Sequence, residues 1–227
     1  MSRGLFKYLG SKGRVVDRYP APQYQKIIEP FCGSAAYSFR HYTKDIHIND
    51  INPRLIGLWK YLQAARAEDI RMLPRLTKGM RISTLTHLRE PERYLLSIYA
   101  NPAAAGGRGL RDTVVSWAKK SGGTTFRSYV ADSLYKIRHW AITCDDYRAL
   151  PDIEATWFVD PPYQHLDKSY TYSKIDYSDL ALWCRSRRGQ VIVCDSTNSD
   201  WLPFRPACTI KGPKNSIRVE RVWTGEG

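Results

Sequence analysis

Lys26-Ile27-Ile28-Glu29-Pro30-Phe31-Cys32-Gly33-Ser34-Ala35 and, further on, Ile46-His47-Ile48-Asn49-Asp50-Ile51-Asn52-Pro53 belong to one structural pattern. Residues 26–29 are rich in β-forming side chains and stop at Pro30, which reads as a strand. Gly33-Ser34 is a turn, and a short helix is expected from Ala35 to His41. Ile46 to Asn49 alternates in polarity and reads as a second strand ending at Asp50. A helix follows from Pro53. Asn52 suits an N-cap, proline suits the first helical position, and Leu55, Leu58, Trp59 and Leu62 fall on one face. Strand, glycine turn, helix, strand, acidic residue, helix is how a parallel α/β sheet begins.

Beyond Leu62 the pattern breaks and later resumes. Residues from about 66 to 125 hold helical fragments, such as Pro91 to Ala100, and two glycine-rich breaks, Gly106-Gly107-Arg108-Gly109 and Ser121-Gly122-Gly123. A second helix is signalled by Phe126, Val130, Leu134 and Ile137 on one face. Ala141 to Cys144, Trp157 to Val159 and Gln190 to Cys194 are further strand candidates. Thr209-Ile210 and Ile217 to Trp223 resemble a closing antiparallel hairpin. The expectation is an α/β catalytic domain formed by residues 1–62 and 126–227, interrupted by a small helical insertion at 63–125.

The formal net charge is +13 and the isoelectric point about 9.6. Between Arg66 and Arg138 there are 14 Lys or Arg against 6 Asp or Glu, so 8 of the 13 excess charges sit in the middle of the chain. Such concentration favours a surface for a polyanion over a uniformly solvated exterior. Five cysteines without paired spacing, and five histidines without ligand spacing, imply neither a disulfide framework nor a metal site. No apolar run reaches membrane-spanning length, and the N-terminus lacks a signal-peptide core. A soluble, cytoplasmic protein is expected.

The residues that bear chemistry are few. Asp160-Pro161-Pro162-Tyr163 follows an apolar strand, and its two prolines hold the chain extended. This fixes the Asp160 carboxylate and the Pro161 carbonyl at the C-terminal edge of the sheet, where ligands bind in open α/β folds. Two fixed acceptors suit an exocyclic aromatic amine, because they bind its N–H groups and turn its lone pair towards an electrophile. Tyr163 is expected to stack on the base, which must leave the duplex to arrive there. Gly33 allows close backbone approach to a ligand, and Asp50, some 20 residues on, is placed for ribose hydroxyls. Lys7-Tyr8-Leu9-Gly10-Ser11-Lys12 combines an aromatic ring, a glycine turn and two cations. Taken singly, each has a plainer reading as a turn, a cap or a basic terminus.

Taken in order, Lys7-Tyr8-x-Gly10-x-Lys12, Glu29-Pro30-Phe31-x-Gly33, Asn49-Asp50-Ile51-Asn52 and Asp160-Pro161-Pro162-Tyr163 resemble the Dam-type DNA adenine-N6 methyltransferases. The resemblance covers roughly residues 5 to 60 and 135 to 227, and Ala35 stands where that family usually has a second glycine. It implies a Rossmann-like methyltransferase sheet, mostly parallel with a C-terminal antiparallel hairpin. It further implies S-adenosylmethionine as methyl donor, without a metal, and adenine N6 in duplex DNA as acceptor. By position, Tyr8, Lys12, Phe31, Gly33, Asp50 and Asp160 would hold the cofactor, with Asp146 and Tyr147 near its adenine. Asp160, Pro161, Pro162 and Tyr163 would hold the target base, and Lys7 would approach the nucleic acid.

In the insertion and just after it, Arg108, Arg111, Lys119, Lys120 and Arg127 are candidate phosphate contacts, with neighbouring polar side chains to read base edges. Tyr170 and Tyr172 follow the catalytic turn in a segment expected to close over the base. A monomer is expected. The alternatives are methylation of cytosine N4 or of RNA, since the same acceptors serve any exocyclic amine, and a silent nucleic-acid-binding module that keeps the fold.

Overall fold

A computed structural model of the chain describes residues 4–101, 111–114, 123–164, 170–172, 174–196, 198–211 and 217–226. The strands are β1 (Lys26–Glu29), β2 (Asp45–Asn49), β3 (Ala141–Thr143), β4 (Ala155–Val159), β5 (Gly189–Asp195), β6 (Arg205–Lys211) and β7 (Ile217–Glu226). They form one seven-stranded sheet in the order β3-β2-β1-β4-β5-β7-β6. Pairing is parallel from β3 across to β5. β7 then lies antiparallel to both β5 and β6. This is the Rossmann-like sheet with a closing hairpin that the sequence predicts.

The central strands bury both faces, as parallel strands between helices must. Alternate residues go to opposite sides. Ile27, Phe158, Ile192 and Cys194 pack with α1 (Ala36–Arg40) and α2 (Pro53–Ala64). Ile28, Trp157, Val159, Val191 and Val193 pack with α6 (Tyr177–Arg185), a helix the sequence reading leaves unassigned. Helix α2 forms as expected. The Asn52 side-chain oxygen accepts from the amides of Arg54 and Leu55 at 3.1 and 3.3 Å. Leu55, Leu58, Trp59 and Leu62 are all completely buried, each contributing about 1.5–3 kcal/mol.

Between α2 and β3 lie α3 (Ala67–Arg71), α4 (Glu90–Ala100) and α5 (Gly123–Ser133), the last continuing into a 3-10 turn over Leu134–Ile137. Ile70, Leu95, Leu96, Ile98 and Val114 join the cluster that contains α2. The described part of the middle segment therefore shares the core of one sheet face. Several of its cations are engaged locally. Arg66 pairs with Asp69, Arg71 with Asp132, Arg81 with Asp112, and Arg89 with Glu92, while the Arg127 guanidinium donates to the Leu73 carbonyl. Among the described residues no helix is long and apolar enough to cross a membrane.

Candidate active site

The strand order turns back between β1 and β4, and the crevice beyond the C-terminal ends of strands at such a switch is where open α/β sheets bind ligands. Asn49, fully buried at the end of β2, ties three strand ends together there. Its side-chain nitrogen donates to the carbonyls of Pro30 and Asp145 at 3.2 and 2.8 Å. Its oxygen accepts from the Thr143 hydroxyl and the Asp145 amide at 2.8 and 3.0 Å. All of its hydrogen-bonding capacity goes to fixing the segments that follow β1, β2 and β3.

The loop after β1 is shaped by Gly33 and Ala35. Gly33 has φ +47°, and a Cβ placed there would lie 3.1 Å from the Tyr8 ring. Ala35, at φ 45° and ψ 46°, adopts the left-handed conformation itself, at a cost of roughly 1–2 kcal/mol. The loop thus keeps its turn without the family's second glycine. Its carbonyl at Gly33 accepts from the Trp59 indole at 3.0 Å, and the Ser34 hydroxyl donates to that of Ser11 at 2.7 Å. These bonds dock the N-terminal segment and α2 against the loop.

These elements enclose a cavity of about 320 Å³, within the size range of small-molecule sites. Tyr8, Lys12, Phe31, Gly33, Asp50, Tyr147, Asp160, Pro162 and Tyr172 line it, so residues far apart in sequence meet there. Phe31 and Tyr147 pack ring to ring at 5.3 Å on one side, and the Tyr147 hydroxyl donates to Asp179 at 2.6 Å. Asp50 accepts the Gly33 amide at 3.2 Å and the Asn52 amide at 3.0 Å. Burial raises its carboxyl to about 6 despite those bonds. Tyr172 is 45% exposed at the rim.

Other expected residues lie elsewhere. Pro161, Tyr163, Lys7 and Arg111 are not in the lining. The Tyr163 ring, expected to stack on a base, is buried, and its hydroxyl donates to Glu220 at 2.7 Å. Lys7 and Arg111 are exposed. Arg108, Lys119 and Lys120 fall outside the described residues.

Lys12 is committed to the Asp160-Pro161-Pro162-Tyr163 turn. Its ammonium donates to Asp160 at 2.6 Å and to the Gly10 carbonyl at 2.9 Å. Burial works to lower the Lys12 pKa, but the Asp160 and Glu220 carboxylates outweigh it and hold the group protonated. Burial lifts Asp160 to about 6 against the pull of Lys12. At neutral pH the pair is therefore ionised, and the carboxylate acts as an acceptor. The Tyr177 hydroxyl donates to the Pro162 carbonyl at 2.6 Å, bracing the turn from α6.

Sequence reasoning passed over several lining residues. Glu29 is buried, accepts the Ser38 amide at 2.6 Å and is pushed up to about 8 by burial. Ile51, Asp145 and Arg148 also face the cavity, as does Tyr170, which the sequence reading places beside Tyr172. The lining holds six acidic residues (Glu29, Asp50, Asp145, Asp146, Asp160, Asp176) against three basic ones (Lys12, Arg148, Lys174), and with Glu29 largely protonated at neutral pH the other five still outnumber the cations. Inside a chain of net charge +13, an acidic cavity suits a cationic ligand and opposes the phosphates of a nucleotide cofactor.

Residues 8–104 match the model of the D12 class N6 adenine-specific DNA methyltransferases. Over this segment the chain is similar to an enzyme family acting on DNA adenine, in agreement with the Dam-type resemblance and with the Rossmann-like sheet. A comparison with curated proteins finds no match.

Proposed function

We propose that the protein methylates adenine N6 at specific sites in duplex DNA, with S-adenosylmethionine as donor and the target base turned out of the helix. The observation that carries this reading is the acidic cavity in which Tyr8, Phe31, Gly33, Asp50 and Asp160 converge. The residues fit the cofactor. The absent Cβ of Gly33 leaves room beside the Tyr8 ring, Asp50 offers a carboxylate to ribose hydroxyls, and the excess of carboxylates complements a sulfonium. Bound there, S-adenosylmethionine supplies an electrophilic methyl group.

The chain's own work is alignment and proton acceptance. Asp160, ionised and held by Lys12, accepts an N–H of the exocyclic amine, and the Pro161 carbonyl, which stands outside the cavity lining, takes the other from a base seated beyond the cofactor. Both orient the nitrogen lone pair, which ring delocalisation otherwise makes a poor nucleophile. Turning the base out of the stack costs a few kcal/mol, recovered by these bonds and by contacts with aromatic side chains such as Tyr172. Residues 63–125, as the target-recognition insertion, and Lys7 contact the DNA, and the protein acts as a monomer.

The test is Asp160→Ala. Methyl transfer is lost while S-adenosylmethionine binding by calorimetry is largely kept. Retained turnover in that variant sinks the mechanism.

A further inference from the structure

The closing hairpin reaches the site through Glu220, which lies on β7 opposite Cys208 of β6. Its Oε2 accepts from the Tyr163 hydroxyl at 2.7 Å and lies 3.4 Å from that of Tyr19. Both tyrosines are 7% exposed, so Glu220 receives hydroxyls that have lost their water. The Tyr163 ring in turn carries the Lys12 ammonium 4.7 Å from its centre. That ammonium is bonded to Asp160. A contact path runs from Glu220 through Tyr163 and Lys12 to the carboxylate that faces the cavity.

We propose that Glu220 is a positioning residue for methyl transfer: it fixes Tyr163 at the end of the Asp160-Pro161-Pro162-Tyr163 turn and sets the charge balance of the Lys12–Asp160 pair. This inference rests on the methyltransferase reading above. Glu220 is not among the residues that line the cavity. Its bond holds the far end of the turn, so the Asp160 backbone is fixed from both sides, by β4 before it and by β7 after it. Its negative charge favours the protonated ammonium of Lys12 and opposes ionisation of Asp160, as Coulomb's law requires. A hairpin that served only to close the sheet has no need of a carboxylate directed at a tyrosine of the catalytic turn.

Two variants separate positioning from simple support. Glu220→Gln keeps an acceptor for the tyrosine hydroxyl but removes the charge, whereas Glu220→Ala removes both. The experiment follows Asp160 by carboxylate NMR across pH, alongside kcat and KM on duplex DNA. In Glu220→Gln, Asp160 titrates at lower pH than in the parent, and the acid limb of the rate profile moves with it. In Glu220→Ala, kcat falls by about tenfold or more as the turn loosens, and KM for S-adenosylmethionine stays within about twofold. Unchanged Asp160 titration in Glu220→Gln overturns the proposal, whether or not the protein methylates DNA. Loss of thermal stability in Glu220→Ala with kcat intact overturns it as well. A normal NMR response in a protein that transfers no methyl group upholds the coupling and refutes the parent reading instead.

Discussion

Replacing Lys12 with methionine removes the ammonium from a pair whose side chains are 4% and 18% exposed and whose charged atoms are 2.6 Å apart. Methionine fills much of the same space, so the loss is mainly of charge. Breaking one side of a buried pair costs about 3–5 kcal/mol, because the remaining ion is left without compensation. The pH dependence follows from Asp160. Its folded pKa, about 6, lies above the ordinary 3.8. The folded state therefore holds more protons than the unfolded state within that window, and this group's contribution to stability falls as pH rises through it. Without Lys12 the carboxyl is raised further, and the window widens upwards. Urea denaturation at pH 8 is expected to show the full loss. At pH 5, where Asp160 takes up a proton in both proteins, the difference shrinks by more than half. An equal loss at both pH values would mean that Lys12 contributes packing alone, and the buried-pair argument would fail.

Three further outcomes follow from the same geometry. Glu29→Gln keeps the acceptor for the Ser38 amide but removes a carboxyl raised to about 8. The parent loses stability as pH rises from 4.5 through 8, so the variant gains about 2–4 kcal/mol over it at pH 9 and nothing at pH 5, as thermal melts would show. Asn49→Ala removes the four hydrogen bonds of a fully buried side chain and costs about 3 kcal/mol or more; denaturant titration checks this, and a loss under about 1 kcal/mol contradicts the clamp. Gly33→Ala places a methyl 3.1 Å from the Tyr8 ring at positive φ, which costs about 1–2 kcal/mol. It also weakens S-adenosylmethionine binding, as isothermal calorimetry would report.

Where local chemistry dictates structure, the fold was legible. The strand at Lys26–Glu29 matches residue for residue, because Pro30 ends it, and α2 begins at Pro53 behind its Asn52 cap. Continuous apolar runs mark β4 and β5 as strands buried on both faces. Helix α6 was missed although Asp176 caps it and Leu180, Trp183 and Cys184 share its buried side. Nine residues among aromatic and polar neighbours give a weak periodic signal. The hairpin was recognised but read too short, since β6 begins at Arg205.

The site divides in the same way. Gly33, Asp50 and Asp160 are fixed by their places after strands, and the cavity holds them where the sequence puts them. Partnerships are a different matter. Lys12 meets Asp160 across 148 positions and Tyr163 meets Glu220 across 57, distances over which spacing carries no information. Only the order of strands in the sheet brings those side chains together. For that reason the bond from Lys12, itself in the cavity lining, to the Asp160 carboxylate and the bond from Tyr163 to Glu220 of the hairpin are visible only in the structure.

The central claim is that this cavity methylates adenine. The protein, incubated with unmethylated duplex DNA and S-adenosylmethionine carrying a radiolabelled methyl group, is expected to label the DNA, and nucleoside analysis to recover N6-methyladenine. Label found in N4-methylcytosine or in RNA alone, or no label despite cofactor binding, would contradict the account.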